Sequence, residues 1–92
     1  MGDFVIERSV TVVNSLGLHA RPAAQVVRLA NTFAAHVEVG REGMMVNAKS
    51  IMGVMMLAAE HGSDLVIRAE GADAEQAVAA LAGLVSSGFG ET

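Results

Sequence analysis

The chain has 92 residues, 52% of them hydrophobic, with no cysteine, tryptophan or tyrosine and a formal net charge of −4. That length allows one small domain, expected over residues 1–92, and the missing cysteines exclude a disulfide framework or thiolate metal site. The acidic balance and few aromatic rings exclude a nucleic-acid binder, which needs a basic face or stacking platforms.

No apolar run approaches the ~20 residues of a membrane span. Met1-Gly2-Asp3-Phe4 lacks the basic start and apolar stretch of a secretory leader. With zero cysteines as well, the expected compartment is the cytoplasm.

Residues 4–14 alternate through Phe4, Ile6, Val10 and Val12 and read as a half-buried strand. Residues 20–34 place Ala23, Val26, Val27, Ala30, Phe33 and Ala34 at helical spacing, with Gln25, Arg28 and Asn31 opposite. Val37 and Val39 mark a second strand, Gly40 to Gly43 a hairpin turn, and Met44 to Val46 a third strand. Ser50 to Ala59 reads as a short helix capped by Ser50, with Val54, Leu57 and Ala58 toward the core. Gly62 closes it, and Leu65-Val66-Ile67 form the fourth strand. Asp73 and Gln76 fit a capping box, followed by an apolar stripe through Ala74, Ala77, Val78, Leu81, Leu84 and Val85. Ser86-Ser87-Gly88 ends that helix, and Phe89 to Thr92 reads as a short tail.

The order βαββαβα predicts an α+β fold, with a four-stranded antiparallel sheet covered on one face by three helices.

The chemistry concentrates in Asn14-Ser15-Leu16-Gly17-Leu18-His19-Ala20-Arg21-Pro22-Ala23-Ala24. Here a histidine stands where a loop gives way to a helix, and Pro22 falls in the first turn, where its missing N–H costs nothing. The unpaired N–H groups of such a turn and the positive end of the helix favour an anion. Neutral imidazole is a nucleophile near pH 7, and Arg21 adds a permanent cation with several donors. Gly17 permits the left-handed bend that aims the following residues outward. Together these residues suggest a histidine that accepts and releases a phosphoryl group. His36 and His61 lack such company and read as solvated. The spread of the three histidines gives no zinc-ligand spacing, so no metal is expected.

Gly17-Leu18-His19-Ala20-Arg21-Pro22-Ala23-Ala24 resembles the phosphorylation-site signature of the HPr family, the histidine phosphocarriers of the bacterial phosphoenolpyruvate-dependent phosphotransferase system. Asn47-Ala48-Lys49-Ser50-Ile51-Met52-Gly53-Val54-Met55 resembles that family's second signature, at the expected distance. The resemblance covers essentially the whole chain and implies an open-faced β-sandwich. It also implies phosphorylation of His19 on Nδ1, with the Arg21 guanidinium and the backbone N–H of Ala20 and Arg21 holding the phosphate. The implied donor is enzyme I and the implied acceptors are enzyme IIA proteins. The chain would be a monomeric covalent carrier without turnover or cofactor of its own.

For Ser50 the resemblance implies a second, regulatory phosphorylation by an HPr kinase/phosphorylase. A phosphate there would suit the helix dipole and add about −1.5 to −2 charges. Partner docking is expected on Gly17, Leu18, Ala24, Arg28, Ile51, Met52 and Met55, flexible thioethers suiting several partners. Asn31 and Gly53 stand where family members often carry lysine, so the basic rim is thin. Ser87-Gly88-Phe89-Gly90-Glu91 and the Met-rich second helix are similar to NPr, the paralogue of the nitrogen-related branch. An alternative function follows, a regulatory module that docks or is phosphorylated on Ser50 without phosphotransfer.

Overall fold

A computed structural model describes residues 4–91. Met1 to Asp3, Thr92 and the side chain of Phe4, which entered the leader, strand and tail expectations, lie outside the described residues. The elements run β1 (Phe4–Thr11), α1 (Ala20–Ala30), β2 (His36–Arg41), β3 (Met44–Asn47), α2 (Ile51–Met56), β4 (Asp64–Gly71) and α3 (Ala74–Ser86), then a 3-10 turn at Gly88–Gly90. The four strands form one sheet in the order β1-β4-β2-β3, and each neighbouring pair is antiparallel. This is the expected open-faced βαββαβα sandwich.

Strand periodicity explains the layering. In β4, Leu65, Ile67 and Ala69 are buried while Asp64, Arg68 and Glu70 face solvent. Ala23, Val26 and Ala30 of α1, Val54 of α2, and Ala77, Val78, Leu81 and Val85 of α3 close over that buried face in one core cluster. Burying each of Leu65, Ile67 and Leu81 contributes about 1.5–3 kcal/mol relative to exposure. Between β2 and β3 the two-residue loop Glu42-Gly43 has positive φ at both positions, 51° and 84°, the twist that favours a tight hairpin.

Several boundaries differ from the sequence reading, each for a visible reason. β1 stops at Thr11, because Val12 exchanges backbone hydrogen bonds with Gly62 and Ser63 instead of extending the ladder. α1 stops at Ala30: the Asp73 carboxylate accepts the N–H groups of Ala34 and Ala35, both at 2.8 Å, and draws the chain into β2. The capping box is therefore absent, since Asp73 spends both oxygens on that loop and makes no side-chain cap for α3. α2 ends at Met56, and Ala58 adopts φ 48° and lies exposed, not in the core. The Arg41 guanidinium donates to the carbonyls of Leu57 and Ala58 at this end. The expected tail folds back: Phe89 is buried, and Gly88, Phe89 and Gly90 all have positive φ.

Candidate functional site

The loop from Asn14 to Leu18 is built to deliver residue 19 to a helix start. Asn14 is fully buried; its carbonyl accepts from Gly17 N–H and its side-chain amide donates to Gly17 O at 2.8 Å. Gly17 has φ 65°, and a Cβ there would stand 2.4 Å from the carbonyl oxygen of Ala59. Leu18 N–H donates to that same oxygen at 2.8 Å. His19 then sits at the N-cap of α1 in extended backbone, and its carbonyl accepts the first helical bond from Ala23 N–H. Its side chain does not cap the helix, and no acidic residue lies in the first turn. Among the described residues, nothing accepts from Ala20 N–H or Arg21 N–H. The positive helix end is thus open beside an exposed Arg21.

The His19 ring is 36% exposed and lies at the edge of an open hollow of about 510 Å³ bordered by Ser15, Leu16, Arg21, Gly90 and Glu91. Its Nε2 is 3.1 and 3.2 Å from the two carboxylate oxygens of Glu91. Glu91 is held in turn by the Asn14 side-chain amide at 3.1 Å. The His19 hydrogen bond is the main reason that the Glu91 carboxyl lies below its usual range. Partial burial opposes it, while Asn14 and the Arg21 charge assist. A carboxylate only accepts, so this contact places a proton on Nε2. Nδ1 has no partner among the described residues, and its lone pair is available. The Oδ1 of Asn14 is buried without a partner, a cost accepted so that both amide protons reach Gly17 and Glu91.

His19, Ala20 and Arg21 therefore come together at one helix end. Ser50 stands apart, at the N-cap of α2, where its hydroxyl accepts from Gly53 N–H at 3.2 Å. Ile51, Met52 and Met55 all project into solvent, Met52 being 72% exposed, and Met56 joins them. α2 packs on α1, and the exposed Leu16 adds apolar surface at the hollow. Arg28 is exposed and Ala24 half-buried. Gly17 and Leu18 do not belong to this surface: Leu18 is only 4% exposed and anchors the loop in the core, while Gly17 is pressed against Ala59. His36 and His61 are exposed, and no group of three metal-binding side chains occurs among the described residues. No helix among them is long and apolar enough to cross a membrane.

Glu91 is the residue that sequence reasoning missed. Nothing local marks it, because its role depends on the folding back of residues 88–91. Phe89 inserts into the core and its carbonyl receives the Gln25 side chain at 3.4 Å. An apolar residue between two glycines was the only available hint.

Comparison with known proteins agrees with this geometry. Residues 6–87 match the family model described as PTS HPr component phosphorylation site. The chain is 46% identical over 87 residues to phosphocarrier protein HPr of Cupriavidus necator, covering 95% of this chain and 98% of that protein. Among solved structures it resembles HPr-C-His from Thermoanaerobacter tengcongensis, with a TM-score of 0.90, 44% identity, and coverage of 95% and 98%. It also resembles HPr from Bacillus anthracis, with a TM-score of 0.85, 48% identity, and coverage of 88% and 96%. An open sheet under three helices is thus shared with solved phosphocarriers along nearly the full length, and this chain belongs to the HPr family of the phosphotransferase system.

Proposed function

We propose that the chain relays a phosphoryl group in the cytoplasm, accepting it on His19 Nδ1 from an enzyme-I-type phosphohistidine and passing it to enzyme-IIA-type acceptors, for sugar uptake or for regulation. The observation that carries this reading is the pairing of Nε2 with Glu91 while Nδ1 is left unbonded beside the open N-terminus of α1. Phosphoryl transfer asks for alignment and positive potential more than covalent help. The N–H groups of Ala20 and Arg21 and the Arg21 guanidinium supply that potential for the equatorial oxygens. In each transfer an N–P bond forms on one histidine as the N–P bond on the other breaks, its electron pair returning to the departing ring. The chain is a carrier that needs both partners and turns over nothing alone. Incubation with phosphoenolpyruvate and purified enzyme I should add one acid-labile, base-stable phosphate per chain. Equal labelling of a His19→Ala variant would refute the assignment.

A second reading is favoured by the position of Ser50. Its hydroxyl caps α2 directly before the exposed Ile51 and Met52, so a phosphate there would charge the apolar docking surface and repel acidic partners without refolding. ATP-dependent labelling by an HPr kinase/phosphorylase, lost in Ser50→Ala, would support such regulation. If labelling occurs there while His19 accepts nothing from enzyme I, the chain is a regulatory, NPr-like docking module instead.

A further inference from the structure

We infer that Glu91 is a positioning residue for phosphotransfer: its carboxylate keeps the His19 proton on Nε2 through the whole cycle and balances the positive ring that forms when Nδ1 carries phosphate. This deepens the phosphocarrier reading and rests on it. Attack by the Nδ1 lone pair on phosphorus forms the N–P bond without releasing a proton, because Nε2 keeps its own. The phosphorylated ring is then formally cationic, and the group placed to offset that charge is the carboxylate 3.1 Å from Nε2. On onward transfer the N–P electron pair returns to Nδ1, and with Nε2 still protonated the leaving group is neutral imidazole. Were the Nε2 proton lost, the leaving group would be imidazolate, a far poorer one.

The support for Glu91 is built into the fold. Asn14 holds one carboxylate oxygen, and the Glu91 backbone N–H donates to Gly88 O at 2.9 Å. Gly88, Phe89 and Gly90, at φ 72°, 60° and 76°, turn the chain so that the carboxylate meets the ring. Phe89 in a left-handed conformation is strained backbone, retained where the docked segment sits over His19. Among the described residues, the titratable or charged groups facing the ring are Glu91 from this segment and Arg21 from α1. The loop of residues 14–18 contributes none, and Glu60 and His61 of the adjoining segment do not border the hollow. Arg21 favours phosphate oxygens and Glu91 favours the ring proton, so the two opposite charges serve different atoms.

The test compares wild type with Glu91→Gln and Glu91→Ala. Nitrogen-15 spectra of the unphosphorylated ring should show the Nε2–H tautomer in wild type, with slower solvent exchange of that proton than in Glu91→Ala. After labelling by phosphoenolpyruvate and enzyme I, transfer to an IIA acceptor should be followed against pH. In both variants the alkaline limb should move to lower pH, with a loss of about two- to five-fold on that limb, the scale of one partly exposed charge pair. Superimposable pH profiles, or an Nδ1–H tautomer in wild type, would overturn the inference. If wild type itself takes up no phosphate, the phosphocarrier reading fails, while the tautomer measurement still decides whether Glu91 orients the ring.

Discussion

Replacing Gly17 by alanine isolates the loop that presents His19. Two costs apply. An L-residue at φ 65° loses about 1–2 kcal/mol to left-handed sterics. The new methyl would also stand 2.4 Å from Ala59 O and 2.9 Å from Glu60 Cα, both backbone atoms that cannot swing aside. Overpacking of this kind costs about 1–3 kcal/mol more. The sum is about 2–5 kcal/mol, a large part of the stability of a small domain.

Gly43→Ala is the internal control. Its φ is 84°, and no atom lies within 4 Å of the added carbon, so it incurs the conformational cost of about 1–2 kcal/mol alone. Urea unfolding of both variants, with the m-value checked for constancy, measures the difference directly. Gly17→Ala should be the less stable by about 1–3 kcal/mol, and only it should slow labelling of His19. The bond from Leu18 N–H to Ala59 O must shift with the loop. Variants equal within ~0.5 kcal/mol would refute the claim that this loop is wedged against residues 59–60.

Four further outcomes are expected. The Asp73 carboxyl is held below its usual value, first by the Ala34 N–H and then by Ala35, its own N–H and Lys49, against partial burial. Its stabilisation is complete above the ordinary carboxylate range and fades as pH falls through the lowered native value. Asp73→Asn should therefore be less stable than wild type at neutral pH, with the gap narrowing as pH falls below the ordinary carboxylate range; an unchanged gap by urea titration would refute this. Ser50→Ala should lose ~1 kcal/mol of stability with its cap to Gly53 N–H, whereas Ser50→Asp, which can still accept that bond, should lose less in the same assay. Val54→Ala should cost about 1–3 kcal/mol because its side chain is fully buried. Met52→Ala should stay within ~0.5 kcal/mol of wild type in stability while weakening association with enzyme I, measured by calorimetry.

How far the sequence exposes this molecule depends on how local each signal is. Element type and order were legible because burial repeats every second residue in β4 and at helical spacing in α1 and α3. The helix ends were less legible, since distant side chains act beside them: the Asp73 carboxylate holds the N–H groups of Ala34 and Ala35 just past the end of α1, and Arg41 donates to the carbonyls at the end of α2. The same Asp73 explains the false capping box. A carboxylate before a helix can cap it or bridge to another loop, and only the folded chain shows which N–H groups come within reach.

The candidate site divides along the same line. Gly17, His19, Arg21 and Pro22 act within a few residues of one another, so their spacing alone conveys a bend, a nucleophile, a cation and a helix start. Glu91 acts on His19 across 72 residues of chain, and no spacing rule reaches that far. Its arrival changes what the site can do. The uncapped α1 terminus and Arg21 draw an anion toward Nδ1, and a native carboxylate nearby ought to compete for the same place. It does not, because the turn at Gly88–Gly90 delivers Glu91 to the other ring nitrogen. One imidazole thereby has its proton held on one side and its lone pair offered on the other, beside the uncapped start of α1.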